Sequence, residues 1–175
     1  PQTPRAQSHG SGILTDQAGY EGLLDTLYHI PDFTSPRFQC VRPEVATGER
    51  VVWITFDGFF WFPRTLFGIE RHLFAFYDQP ELMHRMNRDL LDYNLAVLDR
   101  FCDQVCVPQF MTIAEDMSYN HGPMCSKALF DEFLAPYYKP LTAELKKRGI
   151  RVLVDSDGDV MPLIPWLKEV GVEGI

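Results

Sequence analysis

Two acidic groups stand where apolar runs stop. Phe110 to Ala114 (FMTIA) is a short apolar run that ends at Glu115-Asp116, and Arg151 to Val154, preceded by Ile150, is a second that ends at Asp155-Ser156-Asp157. Carboxylates brought close together raise one another's pKa values, and such groups serve as general acids, bases or stabilisers of a cation. The segment between the two runs has the length of a helix of about twenty residues, as a crossover between parallel strands requires. Parallel strands joined by a right-handed crossover end on the same side of a sheet. The spacing therefore predicts that Glu115, Asp116, Asp155 and Asp157 gather at one carboxyl-end rim, where α/β proteins place their chemistry. Asp116, Asp155 and Asp157 are the candidate catalytic residues, with Glu115 and Tyr119 as candidates for holding a substrate. His121 is a loop residue in reach of the same rim, but it has no partner at ligand spacing and fits an exposed position.

The elements that must position these groups follow from periodicity and breakers. Residues 1 to 12 are polar and rich in turn formers. Tyr20, Leu23, Leu24 and Leu27 recur at helical spacing, which predicts a short helix from Asp16 to Tyr28. Pro31 to Arg50 has little periodicity and is expected to be a long connection. Val51 to Phe56 (VVWITF) is a buried strand by its β-branched and aromatic content, ended by Asp57-Gly58. A helix is expected from Pro63 to Tyr77 and a longer one from Pro80 to Asp103, with methionines as core filling. The helix after Ser126 carries Pro136 and Pro140, which predicts a kink or split near Ala135. A last helix contains Pro162 and Pro165, and a further strand begins at Val172. Strands alternating with helices mean a parallel sheet flanked by helices, and both an open doubly wound sheet and a closed barrel fit that order. No glycine-rich phosphate fingerprint follows any strand.

Composition narrows the classes. The chain has 175 residues, 46% hydrophobic and 23% charged, with a net charge of −8. That charge argues against nucleic acid, which needs a basic face. No apolar run reaches the ~18 residues of a membrane span. Cys40, Cys102, Cys106 and Cys125 lack Cys-x-x-Cys spacing and fit reduced thiols of a cytoplasmic enzyme. Pro1 opens the chain, and Gly171-Val-Glu-Gly-Ile175 is a helix stop followed by an incipient strand. Both are expected of a fragment, with residues 1–50 an N-terminal extension or incomplete barrel start and residues 51–175 a partial (β/α) barrel.

The motif Glu115-Asp116-Met117-x-Tyr119-Asn120-x-Gly122-Pro123, followed by Phe133-Leu134-x-Pro136-Tyr137-Tyr138-Lys139, resembles the uroporphyrinogen decarboxylase superfamily. Leu153-Val154-Asp155-Ser156-Asp157-Gly158, Leu163-Ile164-Pro165 and Gly171-Val172-x-Gly174-Ile175 continue the likeness, and Gly58-x-x-Trp61 and Asp78-x-Pro80-Glu81-Leu82 precede it. The resemblance covers Val51 to the end. It implies a (β/α)8 barrel, and either the cofactor-independent decarboxylase of tetrapyrrole biosynthesis or a zinc-dependent methyltransferase working with a corrinoid protein. The family's methyltransferases carry His-x-Cys where Asp155-x-Asp157 stands here, so the soft thiolate donor is gone. On the decarboxylase side, the active-site tyrosine aligns near Leu66. Phe56 matches an aromatic that lines the pocket, and Arg64 is the arginine placed at the rim near Trp61. Phe59 to Phe62, with Trp61 among them, suit a flat apolar ligand, although core packing accounts for such a cluster equally.

The resemblance thus implies decarboxylation of a uroporphyrinogen-like tetrapyrrole acid without metal or cofactor, with Phe56, Trp61, Arg64, Glu115 and Tyr119 on the substrate. Corrinoid-dependent methyl transfer is the alternative, and only it would call for zinc or a corrinoid. Two other classes use the same residues. Val152-Leu-Val-Asp155-x-Asp157-Gly158 is similar to the first motif of haloacid-dehalogenase-type phosphatases, but Asp159 follows where Thr or Val is usual. A barrel that binds a tetrapyrrole or a corrinoid protein without catalysis is the other. A calcium loop is excluded, because Gly158 falls at loop position 4 and Trp166 at position 12.

Overall fold

The computed structural model describes residues 12–175. Its centre is a parallel sheet of three strands, β1 (Trp53–Asp57), β2 (Phe110–Ala114) and β5 (Arg151–Asp155), in the order β1-β2-β5. Trp53 pairs with Phe110 and Phe110 with Arg151, so the strands start level and their carboxyl ends finish level at Asp57, Ala114 and Asp155. A parallel bridge between Leu153 and Gly174 starts a further neighbour on the β5 side. A two-residue hairpin, β3 (Ser118–Tyr119) and β4 (Gly122–Pro123), sits in the loop after β2. The sequence reading has no counterpart for it.

Strand alternation sorts the side chains onto two unlike faces. Phe56, Met111, Ile113, Val152 and Val154 are buried beneath helices. Trp53 stacks on Phe110, with ring centroids 5.7 Å apart, and Thr55 bonds Thr112 on the opposite face. That face is open, with Trp53 57% exposed.

The helical layer begins with four short helices, α1 (Gln17–Glu21), α2 (Leu24–Leu27), α3 (Pro36–Gln39) and α4 (Arg42–Ala46). Asp16 caps α1 by accepting from the Gly19 N–H, while the predicted single helix breaks at Gly22-Leu23. The expected helix from Pro63 to Tyr77 is two, α5 (Trp61–Phe67) and α6 (Ile69–Asp78), because Gly68 takes φ 78. Only glycine occupies that region without a steric penalty. Helix α7 (Pro80–Gln104) runs for 25 residues with Pro80 at its start. It buries Met83, Met86, Leu90, Val97 and Phe101 along one stripe, each worth roughly 1.5–3 kcal/mol when fully covered.

Splitting of the next helix follows its prolines. After α8 (Lys127–Leu129), capped by Ser126, residues Phe130–Leu134 form a π-helical turn before α9 (Ala135–Lys147). Pro136 and Pro140 each lack the N–H that an α-helix requires, and the wider turn absorbs the mismatch. Asn87 of α7 donates to the Phe133 carbonyl at 2.8 Å, which satisfies an acceptor in the irregular turn. A 3-10 turn (Met161–Leu163) and α10 (Ile164–Glu169) close the helical layer. All four cysteines are free thiols. Among the described residues, no helix is long and apolar enough to cross a membrane.

Candidate functional site

The loops after β2 and β5 meet at the carboxyl ends of the strands. Main-chain N–H groups of Glu115 and Asp116 both donate to the Asp155 carbonyl, at 2.9 and 3.4 Å. The Met117 N–H donates to Ser156 Oγ at 3.2 Å. The hairpin is tied to the same loop, because Ser118 Oγ donates to the Asp159 carbonyl and the Asp159 N–H to the Tyr119 carbonyl. Gly158, at φ 83, lies against the Tyr119 main chain, where a Cβ would come within 2.6 Å. Thus two loops forty residues apart form one rim, as the parallel pairing requires.

Glu115 and Asp116 are neighbours with opposite roles. The Glu115 carboxylate is fully buried, against its proposed place on the substrate. It turns inward and accepts from the Phe59 N–H at 2.8 Å, the Phe60 N–H at 2.8 Å and the Trp61 N–H at 3.0 Å. Tyr138 of α9 donates its hydroxyl to the same group. Gly58 makes this possible, since a Cβ there would lie 2.1 Å from the Glu115 carboxyl carbon. Burial pushes the Glu115 carboxyl up to about 7, against the downward pull of these four donors. Its oxygens are thus consumed in holding the start of α5 to the end of β2, and no solvent-facing surface is left for a ligand.

That clamp fixes Arg64, one turn into α5. Arg64 is 4% exposed. Its Nη1 donates to the Asp116 carbonyl at 2.7 Å and approaches Asp116 Oδ2 at 3.3 Å. The Trp61 ring centroid is 5.3 Å from the guanidinium carbon, within cation–π range. Asp116 adopts φ 48 and is the non-glycine residue at positive φ among the described residues, a conformation that aspartate tolerates better than most side chains. Below Arg64, His72 is buried with neither ring nitrogen bonded. Its ring meets Phe60 and Phe76 at centroid distances of 4.6 and 4.9 Å. Burial first, and then the Arg64 charge, depress its pKa to about 3, so the imidazole is neutral.

A pocket of about 610 Å³ opens on this rim, with Arg64, Asp116, Ser118, Tyr119 and Asp157 in its wall. That volume lies in the range of small-molecule sites. Tyr119 is 51% exposed and Asp116 33%, so both side chains can meet a ligand. The structure therefore brings together Arg64, Asp116, Tyr119 and Asp157. Asp155 ends β5 alternate to the buried Val154, with its side chain exposed on the open-face side. Its carbonyl supports the rim, but its carboxylate does not line the pocket. Trp61 is half-buried and reaches the site through Arg64. Phe56 lies elsewhere: it is in register with Ile113 on the helix-covered face and borders a groove with Tyr93 and Val97. Strand alternation places it there, because its neighbours Thr55 and Asp57 take the opposite face.

Ser118 and Met124 of the pocket were not singled out by the sequence, and neither Asn120 of the pocket nor Tyr138 behind it was given a role, though both stand in the motif that carries the resemblance. The turn Asn120-His121 ahead of Gly122, which takes φ 111, is a hairpin signal that could have exposed the first three. Nothing in the spacing of Tyr138 marks it as the partner of Glu115. Among the described residues, no three His, Cys, Asp or Glu side chains gather as a metal site. Searches against protein-family models, curated proteins and solved structures found no match to this chain.

Proposed function

We propose that the chain belongs to an enzyme that decarboxylates an acidic small molecule, a uroporphyrinogen-like tetrapyrrole acid, at the carboxyl-end rim of a (β/α) barrel. The carrying observation is the rim pocket, in which a deeply placed cation, Arg64, shares one wall with the carboxylates of Asp116 and Asp157. Barrel curvature is favoured over a doubly wound sheet by two features. The strands neighbour each other in chain order, and helices cover one sheet face while Trp53 and Thr55 stay exposed on the other.

The chemistry fits the charges. Loss of CO2 from a pyrrole acetate needs the ring to become transiently cationic, so that the electrons of the breaking carbon–carbon bond have a place to go. Carboxylates at the rim stabilise that cation and hydrogen-bond the pyrrole N–H groups, while an arginine holds an acid group of the substrate. Methyl transfer with a corrinoid partner is the second reading. There the exposed carboxylates of Asp155 and Asp157 would bind a hard cation or position a methyl donor, in place of the family's soft ligands.

The test is CO2 release from carboxyl-labelled uroporphyrinogen by the protein carrying this sequence, without added metal or corrinoid. Release above the uncatalysed rate supports the decarboxylase. Folded protein that releases none, yet transfers a methyl group to a corrinoid, supports the alternative.

A further inference from the structure

The guanidinium of Arg64 makes few bonds for a group so deeply placed. One donor, Nη1, serves both the Asp116 carbonyl and the long 3.3 Å contact to Oδ2. Nε is buried with no partner, and no bond from Nη2 is formed among the described residues. A guanidinium is shaped to grip a planar anion through two parallel N–H···O bonds. A buried charge held by one carbonyl and one slack carboxylate leaves part of its desolvation uncompensated. The Asp116 side chain reaches Arg64 from a main chain at φ 48, with a third of its surface in solvent. It is therefore a distant partner of the guanidinium, with an open path to solvent.

We infer that Arg64 is a subsite for one carboxylate of an acidic ligand, and that Asp116 is the resident stand-in which that carboxylate displaces. The inference rests on the rim pocket as the site of the proposed function, and it specifies which part of the substrate is gripped and by what. Charge sets the number at one. Arg64 is the lone cation in the pocket wall among the described residues, against Asp116 and Asp157. A second carboxylate beside the first would meet no second cation there, only the neutral Ser118, Tyr119 and Asn120 and the carboxylates of Asp116 and Asp157, so further acid groups of the ligand are better placed pointing out of the pocket. The Trp61 ring, 5.3 Å from the guanidinium carbon, covers part of the guanidinium and shelters it from water.

Benzoate and its uncharged isostere benzamide are the probes, titrated onto the protein and followed by saturation-transfer NMR. Benzoate should bind at least about tenfold more tightly than benzamide, a difference of ~1.4 kcal/mol. Asp116→Asn removes the internal competitor, so benzoate affinity should rise about fivefold or more while benzamide is unchanged. Arg64→Lys keeps the charge and loses the fork; it should cost benzoate about tenfold. Arg64→Met should abolish the preference for the anion. If Arg64→Met does not fold, the lysine and Asp116→Asn variants decide the matter. Equal binding of the two probes, no binding of either, or benzoate affinity that is unchanged or lower in Asp116→Asn would overturn the subsite. So would inorganic phosphate binding more tightly than benzoate. The two proposals fail separately: loss of the benzoate preference with CO2 release intact removes the subsite, and the converse removes the decarboxylase.

Discussion

Glu115 and His72 show how burial decides the role of an ionisable group. Glu115 accepts from two donors on each oxygen, so Glu115→Gln must turn an amide N–H2 toward a pair of N–H or O–H donors. That substitution should destabilise the fold by about 2–5 kcal/mol, the cost of leaving such buried groups unpaired, measured by urea unfolding. A loss below about 0.5 kcal/mol would show that the clamp is slack. His72 is the opposite case, a buried side chain with two unbonded nitrogens. His72→Leu should therefore stabilise by about 1–2 kcal/mol near pH 7. The gain should also grow on acidification. With the folded pKa at about 3 and the unfolded one at the ordinary histidine value of 6.5, only the unfolded wild type takes up the proton between those values. Wild-type stability thus falls as pH drops from 6.5 toward 3, and the variant lacks that loss. A His72→Leu gain that shrinks between pH 6.5 and 4 would contradict the neutral, unpartnered imidazole.

At the scale of elements, strands β2 and β5 were legible in the sequence because short apolar runs stopped by acidic residues have one strong interpretation. Their parallel pairing then brought Asp116 and Asp157 to one end. The side-chain directions were not legible. Glu115 and Asp116 are adjacent, and only the positive φ of Asp116 and the nearby α5 start make one a clamp and the other a pocket wall. Phe56 was misplaced for a related reason, since aromatic character alone does not say which sheet face a residue takes. The break at Gly68 was hidden by apolar residues that continue the helical period on both sides. Hairpin β3–β4 is the element on which the pocket most depends, and Gly158 lets the β5 loop lie against it. Gly158→Ala adds a Cβ at φ 83 within 2.6 Å of the Tyr119 main chain, so the hairpin must shift. About 1–3 kcal/mol of stability should be lost, together with the protection of the Asp159 amide from hydrogen exchange. Unchanged protection would mean that the hairpin stands without the loop.

On the scale of the whole molecule, one face of the sheet is sealed by helices and the other carries Trp53 at 57% exposure beside Phe110 and Leu153. Strand β1 is unpaired on its far side among the described residues. Open edges and uncovered apolar faces promote association. The 175-residue chain on its own is expected to bind a hydrophobic dye and to self-associate. A monodisperse monomer that unfolds in one sharp transition would contradict a one-sided sheet.

Whether the rim is a site or merely a well-tied set of loops turns on Asp157, which lines the pocket beside Arg64 and Asp116. The decisive measurement pairs urea unfolding with labelled CO2 release for Asp157→Asn. A functional carboxylate can be neutralised without harm to the fold, so the unfolding free energy should stay within about 0.5 kcal/mol of wild type or rise, while CO2 release falls at least about a hundredfold. Loss of about 2 kcal/mol or more of stability, with CO2 release unchanged, would make Asp157 a structural residue and contradict the placement of the reaction at this rim.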